Sequence, residues 1–433
     1  MVFCLFCAFV LCNLDKVNMS VAIVPMAEQF QWSGVEKGLV QSAFFWGYTL
    51  TQLPGGFLAS KLGGKRVLFV GVLLWSLGTL IAPYCAGTSM VALLCSRFIV
   101  GLGEGVAPAA ATGVLSRTIP PSERSRATTS VFGGLDVGSL TGLLIAPPII
   151  LGLGGWPSVF YLFGTLGFMW AAWWFLFFVR GGETAEPVAA AVEEPLVAKG
   201  KTPWKALFTH PQLLVISVVH FSWNWFSYGL LAYMPSFLKG ALGFNLTKSS
   251  VLSILPYAST ITVMLFVGTL CDAFVRSGKM NLTQVRKFSQ SVCFLGGALA
   301  SAGIAATLMS VGPAGPTAAT QVIVLALLVV TFGCGAFCRT GLFCTHQDIS
   351  PKYASIMLGM TNTVAAIASS LATFCIGLLL DATGNNWALA LFAPIIVLNV
   401  VSTLVFVCFY KSDQVDFDAI EAGSSKEAAK KAA

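Results

Sequence analysis

The sequence predicts an all-α membrane protein of twelve transmembrane helices, arranged as two pseudo-symmetric six-helix bundles. Three observations predict it. Hydrophobic residues make up 56% of the 433 residues, with 43 glycines in addition, while charged residues make up only 10%. A soluble domain carries roughly 25% charged residues, and no disordered chain is this poor in charge. The apolar residues fall into twelve runs of about the ~20 residues a bilayer requires. The basic residues are distributed by side: of the 25 Lys and Arg, all but six lie with the central linker. Lys37, Lys239 and Lys248 lie on the opposite side, and Lys16, Arg97 and Arg339 lie within runs. That asymmetry places linker and both termini on the cytosolic, stromal or matrix face. It also accounts for the net charge of +7 without a nucleic-acid partner.

The elements follow in order. Residues 2–27 begin apolar, without a basic n-region or a small-residue cleavage site, and pass through Asn13, Asp15 and Lys16 to Met26. They read as the first membrane helix and not a signal peptide. Further helices are predicted at 38–60, 67–86, 89–116, 126–152 and 156–179, closing a first bundle over 1–179. A Glu-, Ala- and Pro-rich stretch at 180–205 reads as a flexible linker. Helices at 209–239, 249–274, 288–310, 318–348, 353–381 and 386–410 fill a second bundle over 206–410. The polar residues 411–433 read as a tail, disordered or weakly helical. Pro147-Pro148 and Pro256 are expected to kink or end their helices.

The halves echo each other. Gly56-Phe-Leu58-Ala-Ser60-Lys61 after the second helix matches Gly268-Thr-Leu270-Cys-Asp272 after the eighth. Gly154-Gly-Trp156 likewise matches Gly384-Asn-Asn-Trp387. Duplicated bundles of this kind bind their substrate between the halves, near mid-membrane.

Charge at bilayer depth costs at least ~2.5–3.5 kcal/mol, so each such residue pairs, faces a cavity or works. Asp15 and Lys16 lie in helix one, Arg97 and Glu104 in helix four, Asp136 in helix five and Arg339 in helix ten. Lys16 and Ser20 share one helix face, as do Arg97 and Glu104. Two cations on two helices point to an anion between them, with Arg97 offering a planar fork to oxyanions. Glu104 is the expected coupling group, with Asp15 beside it; mutual neutralisation of Arg97 by Glu104 is the plainer alternative. Helix seven is aromatic, with Trp223, Trp225, Tyr228 and Tyr233, and it carries His220 and Asn224 four residues apart. Interface anchoring and a cavity lining both fit that composition. At the linker-side ends of helices four and ten, Arg124 and Arg126 stand opposite His346 and Asp348 as an expected ion-pair gate. Glycines at 134, 138 and 142 set up close helix contact. The three histidines lack metal-ligand spacing, and Cys4 and Cys7 lack the context of a redox or metal site. Asn245-Leu-Thr247 is a glycosylation sequon on the opposite face. Without a filter-like loop, a nucleophile elbow or paired catalytic carboxylates, a channel and an enzyme are both disfavoured against a transporter.

Several strings resemble the anion:cation symporters of the major facilitator superfamily. They are Leu11-Cys-Asn-Leu-Asp-Lys-Val-Asn-Met-Ser-Val-Ala-Ile23, Phe44-Phe-Trp-Gly-Tyr-Thr-Leu-Thr-Gln-Leu-Pro-Gly-Gly56 and Gly101-Leu-Gly-Glu-Gly-Val106. Ser122-Glu-Arg-Ser-Arg126, Gly155-Trp-Pro-Ser-Val-Phe-Tyr161 and His346-Gln-Asp-Ile-Ser-Pro351 join them. Within that family the chain resembles most the plant and algal plastid phosphate transporters. The resemblance implies sodium- or proton-coupled phosphate transport by alternating access in a plastid membrane, thylakoid or inner envelope. An organic-anion carrier for ascorbate, dicarboxylate or glutamate is the alternative. It also implies no cofactor beyond the coupling ion, and a monomer. Lys16, Arg97, Ser20, Asn224, Gln41 and Trp223 are the expected substrate contacts. Lys16 stands where the family usually has arginine. Trp223 and Gln41 replace an arginine and a histidine of the animal vesicular glutamate and sialic acid carriers, and Ser60 replaces an aspartate that Asp272 keeps in the second half.

Overall fold

The computed structural model of the chain describes residues 1–119, 121–180, 202–312, 315–350 and 353–422. The first half runs α1 (Val2–Phe30), α2 (Gly34–Leu62), α3 (Gly64–Thr88), α4 (Met90–Gly105), α5 (Ala107–Thr118), α6 (Pro121–Gly152) and α7 (Pro157–Trp174). The second runs α8 (Trp204–Thr209), α9 (Pro211–Leu242), α10 (Leu246–Leu252), α11 (Ile254–Arg276), α12 (Leu282–Ser291), α13 (Gly297–Met309) and α14 (Ala318–Gly335). It closes with α15 (Cys338–Gly341), α16 (Thr345–Ile349), α17 (Ala354–Ala382) and α18 (Ala393–Phe409). Among the described residues there is no strand. Most of the expected linker lies outside the described residues.

These helices make twelve crossings. α4 with α5 forms the fourth, α10 with α11 the eighth, α12 with α13 the ninth, and α14 to α16 the tenth. Ten crossings are long and apolar enough to span a bilayer on that criterion alone. The other two, α2 and α9, are 29 and 32 residues long but carry Gln41 and Gln52, and His220, Asn224 and Ser227. Helices too polar for lipid on every side must turn a face inward, and these five residues line internal cavities.

Local signals set the ends. Ser33 and Glu36 form a capping box at the start of α2, and Asn281 and Gln284 form one at α12. Asn245, the acceptor of the sequon, caps α10 by accepting from the Lys248 N–H at 2.8 Å. The helix start after Ser253 puts Pro256 in the first turn of α11, where its missing N–H is harmless. Pro147-Pro148 do not end α6, which continues through them to Gly152. Each lacks the N–H that would bond the carbonyl four residues back, at Leu143 and Leu144, so two rungs of the helix ladder are missing there. The tenth crossing, expected as one helix, breaks after Gly335 and again after Gly341. Clustered Gly, Cys and Thr are weak helix formers there, and Gly341 lies directly against the backbone of Gln290.

Packing repeats between the halves. α1 lies on α6 as α9 lies on α17, and α4 lies on α2 and α3 as α14 lies on α11 and α13. In hydrocarbon, helix association rests on close van der Waals fit and not on hydrophobic transfer, so small residues decide it. A Cβ at Gly101 would stand 1.9 Å from the Phe44 carbonyl oxygen, so only glycine permits this α2–α4 approach. Trp156 in one half donates to Gln29 at 2.7 Å, at the end of α1. Its repeat counterpart Trp387 packs on Tyr233 and Phe237, towards the end of α9.

The halves meet most closely on the face opposite the linker. Asp381, at the end of α17, accepts from the backbone N–H groups of Gly34 and Val35 at 2.5 and 2.7 Å. Lys239 at the end of α9 pairs with Glu28 at the end of α1. The described part of the tail is anchored, contrary to its polar composition. Phe417 is buried against His210 and Tyr353, and Glu421 accepts from the Ala206 N–H at 2.9 Å.

Candidate functional site

A cavity of about 930 Å³ lies between the halves. Its wall reaches Ala59, Thr112, Trp204 and Ile356, all near the linker-side ends of their segments, so it extends from mid-membrane towards that face. Its charged lining is Lys16 and Glu104 at one end and Asp136 and Arg339 beyond them. A small void of about 30 Å³, the size of one water, continues past Lys16 to Arg97 and Gln41 and is walled by Phe44, Phe45 and Tyr228.

Lys16 Nζ lies 3.1 Å from Glu104 Oε2, a buried ion pair between α1 and α4. Cys12, one turn before Lys16, donates its thiol to the same carboxylate oxygen at 3.1 Å. The rings of Phe44 and Tyr48 lie 5.6 and 5.3 Å from the ammonium, and the Phe44 ring also lies 5.6 Å from the Arg97 guanidinium. One aromatic ring thus lies within reach of two cations whose charges repel. The partner of Glu104 is therefore Lys16, not the Arg97 of its own helix. Asp15 accepts from the hydroxyl of Thr79 on α3, and its negative charge acts on Arg97 without a hydrogen bond between them.

Arg97 is 2% exposed, and among the described residues its Nε and Nη1 have no hydrogen-bond partner. Gln41 Nε2, on the same void, is likewise without one. Leaving a charged donor buried and unmet is among the most costly polar arrangements a fold can hold. Such a site is complementary to an oxyanion, which accepts from the fork and from the amide together.

The other expected residues fall as follows. Asn224 and Trp223 line the cavity; Asn224 donates to Ser369 at 3.3 Å and Trp223 packs over Gly335. Ser20 donates to the Val17 carbonyl of its own helix at 2.7 Å and lines neither void. The side chains of Arg124 and Arg126 lie outside the described residues. Asp348 forms a two-pronged pair with Arg286, Nε–Oδ2 2.7 Å and Nη2–Oδ1 3.2 Å, within its own half. His346 is buried, sharing the Thr361 hydroxyl (2.9 Å) with His220 (3.1 Å). The sequence reading missed Cys12 and the Gln52–Asn362 bond of 2.9 Å across the halves. The i, i+4 spacing of Cys12 and Lys16 was the available signal for the first.

Residues 3–373 match the model of the Major Facilitator Superfamily. The chain belongs to the Major Facilitator Superfamily. Among curated relatives of this superfamily member, "Probable anion transporter 6, chloroplastic" of Arabidopsis thaliana is 43% identical, over 95% of this chain and 78% of the relative. The "Ascorbate transporter, chloroplastic" of the same plant is 37% identical, over 95% and 74%. Its "Sodium-dependent phosphate transport protein 1, chloroplastic" is 36% identical, over 95% and 78%. Among solved structures, an inward-facing, unoccupied bacterial homologue of the human lysosomal transporter Spinster aligns with a TM-score of 0.75 at 18% identity, covering 95% of this chain and 97% of that one. That likeness concerns the fold alone: a multi-pass membrane bundle of the superfamily type.

Proposed function

We propose that the chain is a secondary active transporter of inorganic phosphate, working by alternating access and driven by a co-transported cation. The observation that carries this reading is Arg97, buried with unmet donors on a void it shares with Lys16 and Gln41. The relatives support it, since their names describe chloroplastic anion and phosphate transporters. A plastid membrane is the matching location, checked by coincidence of a fluorescent fusion with chlorophyll.

The charge balance supplies the reason for coupling. Three cations, Lys16, Arg97 and Arg339, lie at bilayer depth with three carboxylates, Asp15, Glu104 and Asp136. An arriving anion unbalances that set by at least one charge, and charge imbalance in low dielectric is expensive. A proton or sodium ion arriving with it restores neutrality. At 3.1 Å the Lys16–Glu104 attraction is about 5 kcal/mol for an effective dielectric of 20. Phosphate does not readily displace a carboxylate held that tightly. Neutralising Glu104 first releases Lys16 to the anion, which links cation entry to substrate binding.

Uptake of radiolabelled phosphate into proteoliposomes under imposed sodium or proton gradients tests this. Saturable, gradient-driven uptake is expected; none under either gradient would sink it. A second reading, an ascorbate carrier, is favoured by the cavity of about 930 Å³, several times larger than phosphate needs, and by the 37% identical ascorbate transporter. Competition between phosphate and ascorbate separates the two.

A further inference from the structure

Arg339 lines the same cavity and enters its charge balance, but it makes none of the anion contacts assigned above. It lies on α15, a single turn set between two breaks in the tenth crossing, and its side chain is exposed on the wall of the large cavity. Among the described residues its side chain makes no ion pair within bonding distance and no hydrogen bond; the Phe343 ring lies 5.5 Å from the guanidinium carbon, and Asp136 of α6 is the carboxylate whose charge acts with it. Structural arginines at this depth are paired or packed away, so an arginine left open on a cavity wall needs another reason. Interrupted membrane helices mark substrate-handling segments in duplicated transporters. Position along the fold adds direction. The fourth and tenth crossings both begin on the face opposite the linker. Arg97 is the eighth residue of α4, whereas Arg339 follows the whole 18-residue α14, so it lies nearer the linker side.

We propose that Arg339 is a second anion contact, contributed by the second half, which captures the oxyanion on the linker-side reach of the cavity before it meets Arg97 and Lys16. Asp136 of α6 lines the same cavity from the first half. Its negative charge weakens the capture, so that the anion is passed on and not trapped. The inference rests on the oxyanion-transport reading and names a residue that reading does not require.

The test uses the full chain in proteoliposomes of defined orientation, with inorganic phosphate as probe offered from either face. Arg339→Gln should raise the KM for phosphate offered from the linker side about tenfold, the loss expected for one charged hydrogen-bonding partner. The KM from the opposite face should change less than about twofold. Arg339→Lys should recover most of the affinity, and Asp136→Asn should lower the linker-side KM. A merely structural Arg339–Asp136 pair would instead make both neutralising variants lose folded yield together, with equal effects from both faces. That result, or an unchanged linker-side KM in Arg339→Gln, overturns the proposal while Arg97→Ala still abolishes uptake. Absence of phosphate and ascorbate transport by the unaltered chain overturns the underlying reading and this inference with it.

Discussion

Asp381 caps the N-terminus of α2 from the other half of the molecule, its carboxylate 2.5 Å from the Gly34 N–H and 2.7 Å from the Val35 N–H. The first N–H groups of a helix have no partner within it and carry the positive end of its dipole. A carboxylate from α17 satisfies both needs, so the contact joins the two halves on the face opposite the linker. Asp381→Ala should release it. The contribution expected of such a cap is about 1 kcal/mol, roughly a fivefold shift in population away from the state closed on that face. Hydrogen exchange at the Gly34 and Val35 amides should accelerate correspondingly. Unchanged protection would mean that the close approach of Gly34 and Gly38 to the backbone of α17 alone holds the face shut.

The second bond across that face, Lys239–Glu28, joins a 34% and a 64% exposed side chain. Exposed pairs contribute 0–1 kcal/mol and are screened by salt. Lys239→Ala should therefore move the same equilibrium less than Asp381→Ala does, and its effect should disappear in ~1 M salt. An effect as large as that of Asp381→Ala, persisting in salt, would reverse the ranking of the two contacts.

Arg97→Ala should abolish phosphate uptake while leaving a folded, monodisperse protein, because the side chain ends in unmet donors and not in a structural bond. Arg97→Lys should retain a reduced rate, since an ammonium keeps the charge but loses the planar fork. Retained wild-type uptake in Arg97→Ala would remove this residue from the site.

Glu104→Gln mimics the neutral carboxyl and removes the ion pair with Lys16. Anion binding should survive or tighten, while the gradient no longer drives accumulation. Phosphate exchange at equilibrium, measured by counterflow, should continue as net uptake falls to background. If net gradient-driven uptake persists in this variant, coupling resides elsewhere, and Asp15 on Thr79 is the next group to examine.

The charged residues of the site were legible because hydrocarbon is a severe solvent. Lys16, Arg97, Glu104 and Asp136 each interrupt an apolar run, and nothing but function or pairing keeps them there. Their partnerships were not legible. Whether Glu104 meets Arg97 on its own helix or Lys16 on α1 depends on how the helices pack, which spacing along one helix does not contain. The break at Gly335 in the tenth crossing was hidden for a similar reason. Residues 318–348 read as one apolar stretch, and the interruption falls where Gly335 meets the Trp223 ring and Gly341 meets the backbone of Gln290. Phe417 escaped notice because one aromatic in a polar tail carries no periodicity, yet it has a pocket between His210 and Tyr353. Nothing in its own run marked Asp381 as the cap of α2, because that contact exists only where α17 lies beside the start of α2.

Gly101 separates packing from transport most sharply. It lies one turn after Arg97 and one before Glu104, but it faces α2, with the Phe44 carbonyl oxygen 1.9 Å from where a Cβ would stand. Both atoms are backbone or fixed to it, so no rotamer change relieves the clash, and α4 must move away from α2 as a unit. Gly101→Ala should therefore destabilise the protein by several kcal/mol, at the upper end of single substitutions. It should also separate the Phe44 ring from the two cations it bridges. Thermal unfolding in detergent should show a loss of about 5–10 °C, together with a phosphate KM raised in the fraction that still folds. An alanine variant of wild-type stability would mean that α2 and α4 do not pack backbone to backbone at Gly101, and the bridging position of the Phe44 ring would have to be given up with that contact.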